Sequence, residues 1–305
     1  MVRRSRGRII DGIVLLDKPV GMTSNAALQA VKRAFRARKA GHTGSLDPLA
    51  SGLLPICLGA ATKLSPFLLE SDKRYLVTVR LGIKTTTGDA EGDLVEHQEV
   101  AGFSDERVDE VLMFFHGAIQ QVPPMHSAIK HKGQPLYKLA HRGIEIERQA
   151  RTVRIDELRL LRNEGETLEL EVACSKGTYV RTLAEDIGVA LGTVAHVAAL
   201  RRTGVGPFAD TQSVTLEAVE TLAEENHQRL SELLLPMESA LAAWPDVCLS
   251  EDMAYYMRQG QAVFVPRAPT SGWVKLRDAR QRFLGVGCVL ADGRVAPKRL
   301  LGSTG

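Results

Sequence analysis

Polar and apolar positions alternate cleanly in only a few parts of the chain. Residues 73–81 put Tyr75, Val77 and Val79 on one side of an extended segment, which predicts a strand. Residues 9–16 are instead a short apolar, β-branched run, which also reads as a strand and ends at Asp17-Lys18-Pro19-Val20-Gly21. Residues 154–161 and 168–174 flank Asn163-Glu164-Gly165-Glu166 and predict a hairpin. Residues 194–202 are strand-like and end in Arg201-Arg202. Helical spacing appears between these runs. Thr23 or Ser24 can cap a helix that carries Leu28, Val31 and Phe35 on one face. Ser104 starts a second, with the stripe Val108, Val111, Leu112 and Phe115. Residues 61–69 fit a short helix, and residues 182–191 a longer one with Leu183, Ile187 and Leu191 on one side. Residues 216–235 read as an acidic helix, with Glu217, Glu220, Glu224, Glu225 and Glu232 facing solvent, away from any nucleic acid. Beyond residue 247 the texture changes. A short helix over 250–258 is followed by strand-like runs at 262–265, 273–276, 283–290 and 293–296, separated by Gly and Asp turns. The pattern divides the chain into a main unit, 1–245, and a small β-rich unit, 246–305.

Composition narrows the class without choosing a partner. The chain has 305 residues, 44% hydrophobic and 25% charged, as a globular protein does, and a net charge of only +3. No apolar run approaches membrane-spanning length, and no signal-peptide core follows the basic start, so a cytoplasmic protein is expected. Arg3, Arg4, Arg6 and Arg8 read equally as a frayed tail or as a polyanion contact. Cys57, Cys174, Cys248 and Cys288 have neither disulfide nor zinc spacing and read as free thiols.

Charge is concentrated rather than spread. Residues 126–154 hold seven lysines and arginines against Glu145 and Glu147, interleaved with His126, His131, His141 and Tyr137. Such a segment suits a phosphate backbone or a solvated basic face. A different concentration lies at Gly41-His42-Thr43-Gly44-Ser45-Leu46-Asp47-Pro48-Leu49-Ala50-Ser51-Gly52. Pro48 biases Asp47 towards an extended conformation, and the glycines permit sharp turns, so a carboxylate is presented on a stiff loop. A carboxylate can act as a nucleophile if it stays ionised in a closed site. Desolvation opposes this and a nearby arginine favours it. Arg181, in Ser175-Lys176-Gly177-Thr178-Tyr179-Val180-Arg181, is the candidate partner, and an extended 179–181 step would turn Tyr179 and Arg181 to one side. A structural ion pair in a turn is the bland alternative. The acidic turn over residues 85–93 lacks calcium-loop spacing, so no metal is expected. Gly204-Val205-Gly206-Pro207-Phe208-Ala209 matches a dinucleotide pattern but lacks the strand–helix setting. No phosphate-binding Gly-Lys loop or serine elbow is present.

The Gly41–Pro55 stretch resembles the signature of the bacterial tRNA pseudouridine synthase B family. Leu15-Leu16-Asp17-Lys18-Pro19-Val20-Gly21, Lys73-Arg74-Tyr75, Pro123-Pro124-Met125-His126-Ser127-Ala128, the 175–181 segment and Leu200-Arg201-Arg202 resemble its further motifs, in family order from about residue 9 to 205. Ser45 and Ser51 are minor variations. The resemblance implies an α+β (mixed α/β) catalytic domain on a long, largely antiparallel sheet, an RNA-clamping insertion over about 124–151 with Lys130, Lys132 and Arg142 on the RNA backbone, and a PUA-like C-terminal domain. It implies isomerisation of uridine-55 in the tRNA T-loop to pseudouridine, with base flipping and no cofactor. Asp47 is then the nucleophile, attacking uracil C6 or ribose C1′. Tyr75 stacks on the base and can help in deprotonation, Arg181 pairs with Asp47, His42 fills or touches the space of displaced nucleotides, and Tyr179 and Leu200 line the pocket. The T-arm of tRNA is the implied partner of a monomer without an obligatory protein partner. A guide-dependent rRNA synthase and a tRNA chaperone without chemistry are the alternatives.

Overall fold

The computed structural model describes residues 7–140 and 142–301; Arg3, Arg4, Arg6 and His141 lie outside them. The fold is mixed α/β around a ten-stranded sheet. Its main path begins with Val214–Thr215, Gly12–Lys18 and Ser51–Leu58. It continues through Ala195–Val205, Lys73–Leu81, Thr167–Cys174, Arg151–Asn163 and Gly117–Gln121. Neighbours are antiparallel except where Gly12–Lys18 meets Val214–Thr215 and where Ser51–Leu58 meets Ala195–Val205.

That second parallel junction matters for function. The two strands pair only at Arg201–Ser51 and Arg202–Gly52, so the halves of the sheet diverge beside this point. The 43–50 loop enters Ser51–Leu58 at the divergence. Gly52 is required there: a Cβ would lie 2.3 Å from the Arg202 carbonyl oxygen, and φ is +96°.

Packing explains which strands alternate in sequence. Gly12–Lys18 and Ser51–Leu58 are buried on both faces, as their apolar runs require. Val14, Leu16, Leu54 and Ile56 pack under helices Ser24–Ala34 and Leu216–Glu225, whereas Ile13, Leu15, Leu53 and Cys57 pack towards the C-terminal unit. In the other half, Val77 and Val79 lie under helices Asp105–Met113 and Val180–Leu191, whose Val108, Val111, Leu112, Leu183, Ile187 and Leu191 form the expected stripes. The acidic helix is exposed along Glu217, Glu220, Glu224 and Glu225, but it ends at Asn226, whose side chain caps a separate helix, His227–Glu232.

Asp246–Cys248, Gly272–Arg277, Phe283–Val289 and Val295–Leu300 form a separate four-stranded sheet. It is seated on the main unit through Val286, Ala240 and Leu241, and by Phe67, Trp244 and Trp273, whose ring centroids are 4.9–5.4 Å apart. The expected strand over 262–265 is reduced to one bridge, Val263–Val295. Arg8 is not frayed: its backbone exchanges hydrogen bonds with Arg36 and Arg38. Among the described residues, no helix is long and apolar enough to cross a membrane.

Candidate active site

Asp47 is held by the segment after the first strand. Ser24 is not the helix cap, a role taken by Thr23, whose hydroxyl accepts from Ala26 N. The buried Ser24 hydroxyl instead accepts from Leu46 N at 2.7 Å and donates to Leu46 O at 3.0 Å. Gly21 N donates to Pro48 O at 2.8 Å, and Ala50 N closes a turn on Asp47 O at 3.1 Å. Lys18, fully buried, donates to Pro19 O at 2.8 Å and Met22 O at 2.7 Å, and reaches Pro48 O at 3.5 Å. Both residues flanking Asp47 are therefore tied to residues 18–24.

Arg181 approaches the carboxylate from the start of its helix. The chain is extended only to Tyr179, and Val180 is already helical, so Tyr179 and Arg181 converge across a helix start rather than along a strand. Arg181 Nε lies 3.1 Å from Asp47 Oδ2, and Nη1 lies 3.3 Å from Asp89 Oδ2. Nη1 also donates to Thr87 O at 2.8 Å and Nη2 to His126 O at 2.7 Å. The guanidinium is thereby tied to the 43–50 loop, the 85–93 turn and the root of the insertion. The 85–93 turn is not merely polar, because Asp89 is buried against Arg181.

The Asp47 side chain keeps 45% of its surface open, yet the surrounding walls strip enough water to raise its carboxyl above the usual range, opposed chiefly by Arg181. Lys18 is lowered to about 8 by burial, with Asp47 opposing. Tyr75 is a register partner of Arg202, whose guanidinium acts to lower the phenol's pKa. Burial raises the Tyr75 phenol despite that cation, which keeps it protonated. Arg202, fully buried, donates to Leu53 O at 2.8 Å and Gly44 O at 3.2 Å. His42 is lowered by burial and then by Arg202, and its buried Nδ1 has no hydrogen-bond partner within the protein.

These groups surround a cleft of about 670 Å³. His42, Asp47, Tyr75, Tyr179, Arg181 and Leu200 all line it, as do Lys73, His126 and Tyr137. Lys130, Lys132 and Arg142 do not; they stand exposed on the insertion, outside the cleft lining. Among the described residues there is no cluster of potential metal ligands. The sequence alone gives Asp89, Lys18 and Arg202 no role of their own and offers Ser24 only as a helix cap. Lys18 and Arg202 lie within motifs, but Asp89 carries no local signal.

Residues 32–180 match the TruB family pseudouridylate synthase N-terminal domain, 181–242 the tRNA pseudouridylate synthase B C-terminal domain, and 245–301 the pseudouridine synthase II TruB C-terminal domain. The chain is 58% identical over 299 residues to the tRNA pseudouridine synthase B of Nitrosococcus oceani, covering 98% of this chain and 97% of that one. It is 53% identical over 295 residues to that of Coxiella burnetii, covering 96% of each. A solved Cbf5-Nop10-Gar1 complex contains a similar chain, with a TM-score of 0.74 and 27% identity over 95% of this chain and 84% of the other. The chain belongs to the TruB family of pseudouridylate synthases.

Proposed function

We propose that this protein isomerises uridine-55 in the T-loop of tRNA to pseudouridine, with Asp47 as the nucleophile. The observation that carries the reading is the Asp47–Arg181 contact, 3.1 Å long, at the wall of a cleft large enough for an extruded nucleotide. The names of the relatives supply the tRNA substrate.

The chemistry exchanges one glycosidic bond for another. The C1′–N1 bond breaks, uracil turns within the site, and C1′ bonds to C5. The C5 proton leaves and N1 gains one, so no oxidant or cofactor is called for. Attack at C6 or at C1′ makes the same demand on the protein: an ionised carboxylate in a site from which the base has excluded water. Arg181 opposes the upward push of burial on Asp47. Tyr75 offers a ring for the flipped base, and Leu200 and Tyr179 bound the pocket. His42, kept neutral, turns its cleft-lining side to the displaced nucleotides. Lys130, Lys132 and Arg142 contact the RNA backbone beyond the cleft, the 124–151 insertion clamps the T-arm, and the C-terminal unit is PUA-like.

The enzyme works without an obligatory protein partner: its relatives at 53–58% identity carry the name tRNA pseudouridine synthase B, whereas the similar chain in the solved Cbf5-Nop10-Gar1 complex is only 27% identical. The test is tritium release from unmodified tRNA labelled at uridine C5. Release is expected from wild-type tRNA and not from tRNA with cytidine at position 55; no release from either overturns the reading.

A further inference from the structure

Gln121 and Arg151 are paired across the sheet at the two roots of the insertion. Gln121 ends one strand just before Pro123-Pro124, and Arg151 begins the strand to which the chain returns. Neither lines the cleft, yet both grip Tyr179. The Gln121 side chain is 1% exposed and brackets the Tyr179 backbone: Oε1 accepts from Tyr179 N at 2.7 Å, and Nε2 donates to Tyr179 O at 3.0 Å. The Arg151 guanidinium lies over the Tyr179 ring, 4.9 Å from its centroid, and also donates to Gly177 O.

Tyr179 is the residue on which the next helix starts, and Arg181 lies within its first turn. The insertion's own root touches the same unit again through His126 O and Arg181 Nη2. A displaced insertion therefore cannot leave Tyr179 and Arg181 undisturbed.

We infer that Gln121 and Arg151 are positioning residues that fix Tyr179 and Arg181 for the reaction, so that seating of the insertion on RNA is coupled to the placement of the Asp47 carboxylate's partner. The inference rests on the roles given above to Asp47 and Arg181. A small misplacement of a catalytic group costs rate rather than substrate affinity.

The test separates the two quantities. The single-turnover rate at saturating tRNA and the Kd for tRNA are measured for Gln121→Met, Arg151→Met and Arg151→Lys. The first removes both bonds to Tyr179 at similar volume. The second removes the charge over the ring, and the third restores a charge without the planar group. The rate is expected to fall about tenfold or more in Gln121→Met and Arg151→Met, with Kd changed less than about twofold, and to recover in part in Arg151→Lys. If Gln121→Met does not fold, the Arg151 pair alone decides. Wild-type rates in Arg151→Met, or a loss confined to Kd, overturn the inference, the latter making Arg151 an RNA-backbone contact. Wild-type protein in the same run distinguishes this from a failure of the functional reading: without its activity, the reading falls and takes the inference with it.

Discussion

Asp89 Oδ2 lies 3.3 Å from Arg181 Nη1, with side-chain exposures of only 4% and 8%. The same guanidinium reaches Asp47 through Nε, so two carboxylates from separate loops share one arginine. Asp89 holds one edge of the planar group and leaves the other aimed at Asp47. Asp89→Asn is expected to slow single-turnover isomerisation with tRNA affinity unchanged. Asp89→Ala also leaves a buried cation under-compensated and costs about 3 kcal/mol in urea unfolding. A wild-type rate in Asp89→Asn contradicts this role.

Asp47 has an unusual effect on stability. Its folded carboxyl titrates above the unfolded one, because burial outweighs Arg181. Between those two values the native state binds more protons than the unfolded chain, so this group's contribution to stability falls as pH rises through the window. At neutral pH the ionised form costs stability, which Asp47→Asn relieves. The variant should melt above wild type at pH 7–8, with the gap closing as pH drops below the usual carboxylate range. In the wild type, the reaction rate should fall on the acid side at a pH above that range, and Arg181→Met should move this limb higher still. A limb at or below the ordinary carboxylate value contradicts the assignment.

Ser24 tests whether loop rigidity matters. Ser24→Ala leaves Leu46 N and O without their buried partner, costing about 1–3 kcal/mol. The rate should fall while Kd for tRNA holds. Unchanged rate with lowered stability would make the contact structural only.

How much of this is legible in the sequence depends on range. The 73–81 strand matches the structure residue for residue, because one face packs on the core and the other does not. Ser51–Leu58 is hidden inside a motif that reads as a loop, and its Pro55 argues against a central strand. Pro55 O nevertheless accepts from Thr43 N, so the residue serves as an acceptor to the loop. The pairing of Asp47 with Arg181 follows from residue type and motif, whereas Asp89 reaches Arg181 across 92 positions. Nothing local in an acidic turn records such a partner. The 204–209 glycine pattern is no dinucleotide site: Val205 and Phe208 pair in a tight antiparallel ladder.

The exposed insertion residues make a separable prediction. Charge removal at Lys130, Lys132 and Arg142 together should weaken tRNA binding and reduce the salt slope by roughly one for each phosphate no longer neutralised. An unchanged Kd and slope would return these side chains to an ordinary solvated face.

The central claim is that the Asp47 carboxylate performs the chemistry. Asp47→Asn keeps the size of the side chain and removes its nucleophile. Single-turnover tritium release from C5-labelled tRNA, measured beside tRNA binding, should be abolished with Kd little changed. Release at the wild-type rate by that variant would contradict the account.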